Sequence, residues 1–142
     1  MTYNILVVDD SLPMRSVIKK TIKASGVKIG KLLEAANGNE ALEVLQAEWF
    51  DLVLVDYNMP DMNGLELITE MKKDELLKSI PVIMTTVEGS QQRVKAFMEN
   101  GAADYIQKPF TPEETREKLY KVMGETENGQ ESPDTGDEEL DF

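Results

Sequence analysis

The sequence predicts an α/β fold: a doubly wound, five-stranded parallel sheet of order 2-1-3-4-5 with helices on both faces. Three observations carry this. Short apolar runs alternate with helical patterns five times. The connections between them are short, which suits parallel βα units with right-handed crossovers. Leu52-Val53-Leu54-Val55 is a continuous apolar run that ends in turn residues, as expected of a strand buried on both faces. A chain of 142 residues fits one such domain, and 2-1-3-4-5 is a common order for five doubly wound strands.

Ile5-Leu6-Val7-Val8 is the first strand. Pro13 suits the first turn of the helix that follows, where Met14, Val17, Ile18, Thr21 and Ile22 recur at helical spacing until Gly26 stops it. Leu32 to Ala36 is the second strand, less uniformly apolar and so placed at an edge. Asn37 caps the second helix with Glu40 three residues on as a capping box, and Ala41, Leu42 and Leu45 form its buried face. After the third strand, Asn63 and Glu66 repeat that cap ahead of Leu65, Leu67, Ile68 and Met71. Pro81 to Thr85 is the fourth strand, its first-position proline tolerated. Ser90 caps a helix with Val94, Phe97 and Met98 facing inward, and Gly101 ends it. Tyr105-Ile106 is a short fifth strand. Thr111, Pro112, Glu113 and Glu114 start the last helix, whose face is Thr115, Leu119 and Val122.

Charge divides the chain. Residues 1–124 carry 19 acidic against 15 basic side chains, whereas residues 125–142 hold eight acids and no base. The domain is therefore read as 1–124, and 125–142 as a disordered acidic tail, since its composition cannot bury enough apolar area to offset ordering entropy. Nucleic-acid binding is not expected without clustered Lys and Arg. No apolar run reaches membrane-spanning length, so no membrane insertion is expected. Met1-Thr2-Tyr3-Asn4 has no basic region of a secretory signal. There is no Cys and no His, which removes disulfides, thiolate metal sites and an imidazole base. A cytoplasmic location is the expectation.

In open α/β sheets ligands bind at the carboxyl edge of the strands. Asp9, Asp10, Asp56, Thr86 and Lys108 all follow strands onto that edge. Asp56 taken alone reads equally well as a turn residue, Asp9-Asp10 as a strand end, Lys108 as a solvated lysine and Thr86 as a strand former. Taken together they suggest a site. Three neighbouring carboxylates repel unless a cation offsets them, and an all-oxygen donor set selects Mg²⁺, with Mn²⁺ as the second choice. Lys108, held extended before Pro109, can act as a point charge for a phosphoryl group. A carboxylate can be the covalent nucleophile of phosphoryl transfer.

Asp9-Asp10-Ser11, Asp56-Tyr57-Asn58-Met59-Pro60 with Gly64, Thr85-Thr86 and Lys108-Pro109-Phe110 together resemble the receiver domain of two-component response regulators, and within them the single-domain, CheY-like chemotaxis regulators. The resemblance covers about residues 3–123. It implies the flavodoxin-like (βα)5 receiver fold. It implies Asp56 as the phosphoacceptor, and Mg²⁺ held by Asp10, Asp56 and the Asn58 backbone carbonyl, with Asp9 acting through the metal's water. Lys108 would contact the phosphoryl group, Thr86 would move toward it, and Tyr105 would swing inward behind it; from the sequence alone Tyr105 is simply a half-exposed strand aromatic. Asn58 and Glu88 would border the water path to the phosphoaspartate, implying rapid self-dephosphorylation. Val87 departs from the family, which has a smaller residue there, and could restrict Thr86 or a phosphodonor.

The implied function is a single-domain response regulator, phosphorylated by a chemotaxis-type sensor histidine kinase, reset with or without a phosphatase, and monomeric. It would present its helix 4–strand 5–helix 5 face to a flagellar switch or other target. The alternative is a phosphorelay intermediate that passes phosphate to a histidine phosphotransfer protein. An enzyme turning over phosphomonoesters is not expected, because Asn58 stands where such phosphatases carry an acid/base. A flavin carrier is disfavoured too, since Asp10-Ser11-Leu12-Pro13 lacks a hydroxyl-rich phosphate cradle. The acidic tail, with Leu140 and Phe142 among its last residues, could tune partner binding or fold onto the Lys118/Lys121 side of the last helix.

Overall fold

The computed structural model describes residues 2–124, and the tail expected over 125–142 lies outside them. In chain order the elements are β1 Tyr3–Val8, α1 Leu12–Ala24, β2 Ile29–Ala35, α2 Gly38–Ala47, β3 Leu52–Asp56, α3 Gly64–Lys72, β4 Val82–Thr86, α4 Gln91–Glu99, β5 Asp104–Gln107 and α5 Pro112–Met123. All five strands are parallel in the order β2-β1-β3-β4-β5. The sheet is therefore the doubly wound one expected, with β1 and β3 adjacent at the switch point.

Alternation along the strands divides the core into two layers. Leu6, Val8, Val53, Val55, Val82 and Met84 face α2, α3 and α4, where Leu45, Leu67, Ile68, Met71 and Phe97 meet them. Ile5, Val7, Leu52, Leu54, Ile83 and Ile106 face α1 and α5, against Ile18, Ile22 and Leu119. The register pairs Val7 with Leu54 and Leu54 with Ile83. Continued by two residues, the α1/α5 row reaches Asp9, Asp56 and Thr85, so these side chains leave the sheet on one face.

Several local expectations need correction. β2 begins at Ile29 rather than Leu32, because Tyr3 pairs with Ile29 and the Asn4 side chain accepts the Lys31 N–H; exposed Gly30 and Lys31 hid this extension. Pro81 lies just outside β4, although its carbonyl accepts the Val53 N–H at 3.1 Å. The Asn63/Glu66 capping box is complete, but the one at Asn37 is half formed. Asn37 accepts the Glu40 N–H at 2.8 Å, while the Glu40 carboxylate takes the Ala36 N–H at 2.6 Å. The β1–β2 ladder ends at Ala35, so Ala36 is the donor left without a strand partner. Met98, expected inward, is 44% exposed, while Phe97 beside it is fully buried. Phe97 centres the narrow face that α4 turns to the sheet, and the next residue is rotated about 100° away.

Candidate functional site

The site forms where β1, β3 and β5 run out. Ser11 caps α1 by accepting the Met14 N–H at 3.2 Å, and Pro13 sits in the first turn. The chain therefore turns immediately after Asp9-Asp10. Asp9 is buried and Asp10 exposed. Asp9 Oδ1 accepts the Ser11 N–H at 2.9 Å, and Arg15 Nη1 donates to the Asp9 carbonyl at 2.6 Å while its Nε donates to Glu34 at 2.7 Å. Arg15 was not singled out from the sequence, where an arginine on an exposed-looking helix carries no signal.

At the end of β3, one carboxylate oxygen from each of Asp9, Asp10 and Asp56 lies within 4.8 Å of the others. Lys108 closes the cluster. Its Nζ donates to Asp9 Oδ2 at 2.9 Å and to Asp56 Oδ1 at 3.2 Å, and its side chain is only 9% exposed. β5 delivers it there: the Lys108 N–H bonds the Thr86 carbonyl at 2.7 Å, and the Lys108–Pro109 bond is cis.

The protonation states follow from these contacts. Burial pushes the Asp56 carboxyl up; Lys108 opposes this, Asp9 adds to it, and the Asn58 N–H donates to the carboxylate and lowers it, leaving the net shift upward. Burial works against the Lys108 charge, but Asp9 and Asp56 outweigh it and hold Lys108 above its ordinary value. One ammonium among three carboxylates leaves a surplus of negative charge on oxygen donors alone, a set that fits a hard divalent cation.

Gly64 lets α3 approach this edge. A side chain there would place its Cβ 2.9 Å from the Asp56 carbonyl, while the Gly64 N–H donates to the Tyr57 carbonyl at 3.0 Å. Thr85 is the register partner of Asp56 on β4, is buried, and its hydroxyl has no hydrogen-bond partner among the described residues. Thr86, also buried, turns its hydroxyl to the Glu88 backbone. The Glu88 carboxylate pairs with Arg93 at 3.3 Å, and Arg93 stacks over the Tyr57 ring. Sequence reasoning missed Arg93: five residues from Glu88 across a loop–helix junction, it follows no helical or strand period. Val87 is 71% exposed and lines an apolar cavity of about 240 Å³ with Met14, Val17, Pro109 and Phe110.

Tyr105 packs on the layer of Leu6, Val8, Val53 and Val55, the face of the sheet opposite the row that ends in Asp9 and Asp56. It is half-buried, with Lys118 Nζ 4.8 Å from its ring centre. Buried Asp104 holds Lys118 at 3.1 Å and Lys121 at 3.4 Å, so both lysines suggested as a dock for the tail already have a partner.

A carboxylate nucleophile with a cation against it and a hard-metal donor set beside it can accept a phosphoryl group. The family model described as "Response regulator receiver domain" matches residues 5–120. The chain is 46% identical over 121 residues to "Chemotaxis protein CheY1" of Helicobacter pylori, covering 84% of this chain and 96% of that protein. It is 41% identical over 121 residues to "Chemotaxis protein CheY homolog" of Campylobacter jejuni, covering 84% and 92%. Among solved structures, Vibrio cholerae chemotaxis protein CheY4 superposes with a TM-score of 0.76 at 32% identity, over 86% of this chain and 99% of that one.

Proposed function

We propose that this chain, which belongs to the response regulator receiver domain family, is a switch of the chemotaxis type that is phosphorylated on Asp56. The observation that carries this is the Lys108 bridge to Asp9 and Asp56 within the three-carboxylate cluster. An Asp56 carboxylate oxygen attacks the phosphorus of a phosphohistidine on a sensor kinase. The P–N bond breaks, the imidazole keeps the electron pair and takes up a proton, and Asp56 becomes an acyl phosphate. Water later attacks that phosphorus and releases inorganic phosphate, restoring the carboxylate.

Asp10, Asp56 and the Asn58 carbonyl, with Asp9 beside them, would hold Mg²⁺, which offsets charge on the transferring phosphoryl group when bound. Lys108 is charged in this setting and contributes the second, permanent cation to the phosphoryl oxygens. Thr86 and Tyr105 supply the switch, and Asn58 and Glu88 border the hydrolytic water. Val87, turned outward beside Pro109 and Phe110, meets an approaching phosphodonor rather than filling the space around Thr86. The domain acts through partners: a kinase that loads it and a target that reads the α4–β5–α5 face, both in the cytoplasm, with no substrate turnover of its own. Relatives named as chemotaxis proteins support a flagellar switch as that target. Among the described residues no helix is long and apolar enough to cross a membrane.

The test is incubation with acetyl phosphate and Mg²⁺, followed by mass spectrometry. The parent chain should gain one phosphoryl group and the Asp56→Asn variant none. A parent that stays unmodified, or an Asp56→Asn variant that is modified equally, rejects the assignment.

A further inference from the structure

The β4–α4 connection carries a set of contacts that phosphoryl acceptance does not use. Thr86 Oγ1 donates to the Glu88 carbonyl at 3.0 Å and accepts the Glu88 N–H at 3.1 Å. A hydroxyl has one proton to donate, so Thr86 cannot donate to a phosphoryl oxygen while that bond stands. Glu88 Oε1 pairs with Arg93 Nη1 at 3.3 Å. The Arg93 guanidinium carbon lies 4.4 Å from the centre of the Tyr57 ring, and Tyr57 rests on fully buried Phe97 with ring centroids 5.4 Å apart. The Arg93 backbone is pinned as well, because its N–H is bonded by the Ser90 cap at 3.3 Å. A path of contacts thus runs from Tyr57, next to the phosphoacceptor, through Arg93 and Glu88 to the Thr86 hydroxyl. Arg93 is the link between its two ends.

We propose that Arg93 is a latch, a positioning residue that holds the β4–α4 loop in the arrangement where Thr86 donates to Glu88. Switching then requires this latch to yield. The inference rests on Asp56 being the phosphoacceptor. A partly exposed ion pair is weak alone, but stacking on Tyr57 adds a cation–π contact. Together they should shift the balance between the two loop arrangements by about three- to tenfold.

The test uses the full chain with Arg93→Ala, Arg93→Lys, Glu88→Gln and the Arg93→Ala/Glu88→Gln double variant. Amide hydrogen exchange at Glu88, read by NMR without any phosphodonor, should be about three- to tenfold faster in Arg93→Ala. Apparent affinity for beryllofluoride with Mg²⁺ should rise by a similar factor. Arg93→Lys, which keeps the charge but stacks less well, should fall between parent and Arg93→Ala. The double variant should match the stronger single. Unchanged Glu88 exchange in Arg93→Ala, or strictly additive single effects, overturns the latch. If the parent itself fails to bind beryllofluoride, the phosphoacceptor reading fails instead, and faster Glu88 exchange in Arg93→Ala still upholds the restraint on the loop.

Discussion

Replacing Lys108 with Met keeps most of the side chain's length and removes only its charge and hydrogen bonds. The ammonium-bearing side chain is 9% exposed and sits 2.9 Å from Asp9 and 3.2 Å from Asp56. At an effective dielectric of about 20, unit charges that close attract by roughly 5 kcal/mol per pair. Desolvation of the ammonium offsets much of this. What survives is the penalty for stranding the other partner, typically about 3–5 kcal/mol when one side of a buried pair is removed. Asp9, at 1% exposure, is the group stranded. Lys108→Met should therefore lose about 3 kcal/mol in urea unfolding at pH 7 without divalent ions, a large share of a total of about 5–15 kcal/mol. Mg²⁺ should stabilise the variant more than the parent, because the carboxylates it meets no longer have a cation among them. A loss below about 1 kcal/mol, or equal stabilisation of both chains by Mg²⁺, refutes the electrostatic account of the cluster.

Three further outcomes are expected. Burial works to raise the Asp104 carboxyl, but the Tyr105 N–H, Lys118 and Lys121 leave it lowered from 3.8. Its contribution is thus present above the ordinary carboxylate range and lost as pH falls through the folded value. Asp104→Asn should cost about 1–3 kcal/mol at pH 7, and parent and variant should converge well below pH 3.8 in urea titrations at a series of pH values. Thr85→Val removes a buried hydroxyl that has no partner among the described residues and should raise stability by about 1 kcal/mol, read as a higher Tm; a lower Tm shows that the hydroxyl is satisfied. On α4, Phe97→Ala should cost about 3–5 kcal/mol while Met98→Ala stays within about 0.5 kcal/mol, and equal losses in thermal unfolding contradict the orientation of that helix.

Features set by short-range contacts are legible in the sequence. Caps at Ser90, Thr111 and Asn63 act within a turn of their own helix, and apolar runs such as Leu52–Val55 report burial through their own side chains. Errors arose where a neighbour in space, distant in sequence, made the decision. Ile29 joins β2 because Tyr3 lies beside it, and Met98 turns outward because Phe97 fills the contact with the sheet. Arg93 carries no signal in the sequence, because its significance lies in what faces it, Glu88 and Tyr57; Thr85 is legible as part of the Thr85-Thr86 motif, but its place beside Asp56 follows only from the β3–β4 register.

By itself, the sequence determined that five βα units would place Asp9, Asp10, Asp56, Thr86 and Lys108 at the carboxyl edge of one parallel sheet, since strand ends and helix caps follow from short-range patterns. Only the tertiary structure decided that Lys108 would bridge carboxylates 99 and 52 residues away, and that Thr86 would spend its proton on Glu88. The first depends on strand order and register and the second on the path of a loop. Local propensity constrains neither; burial and the satisfaction of charges in three dimensions settle both.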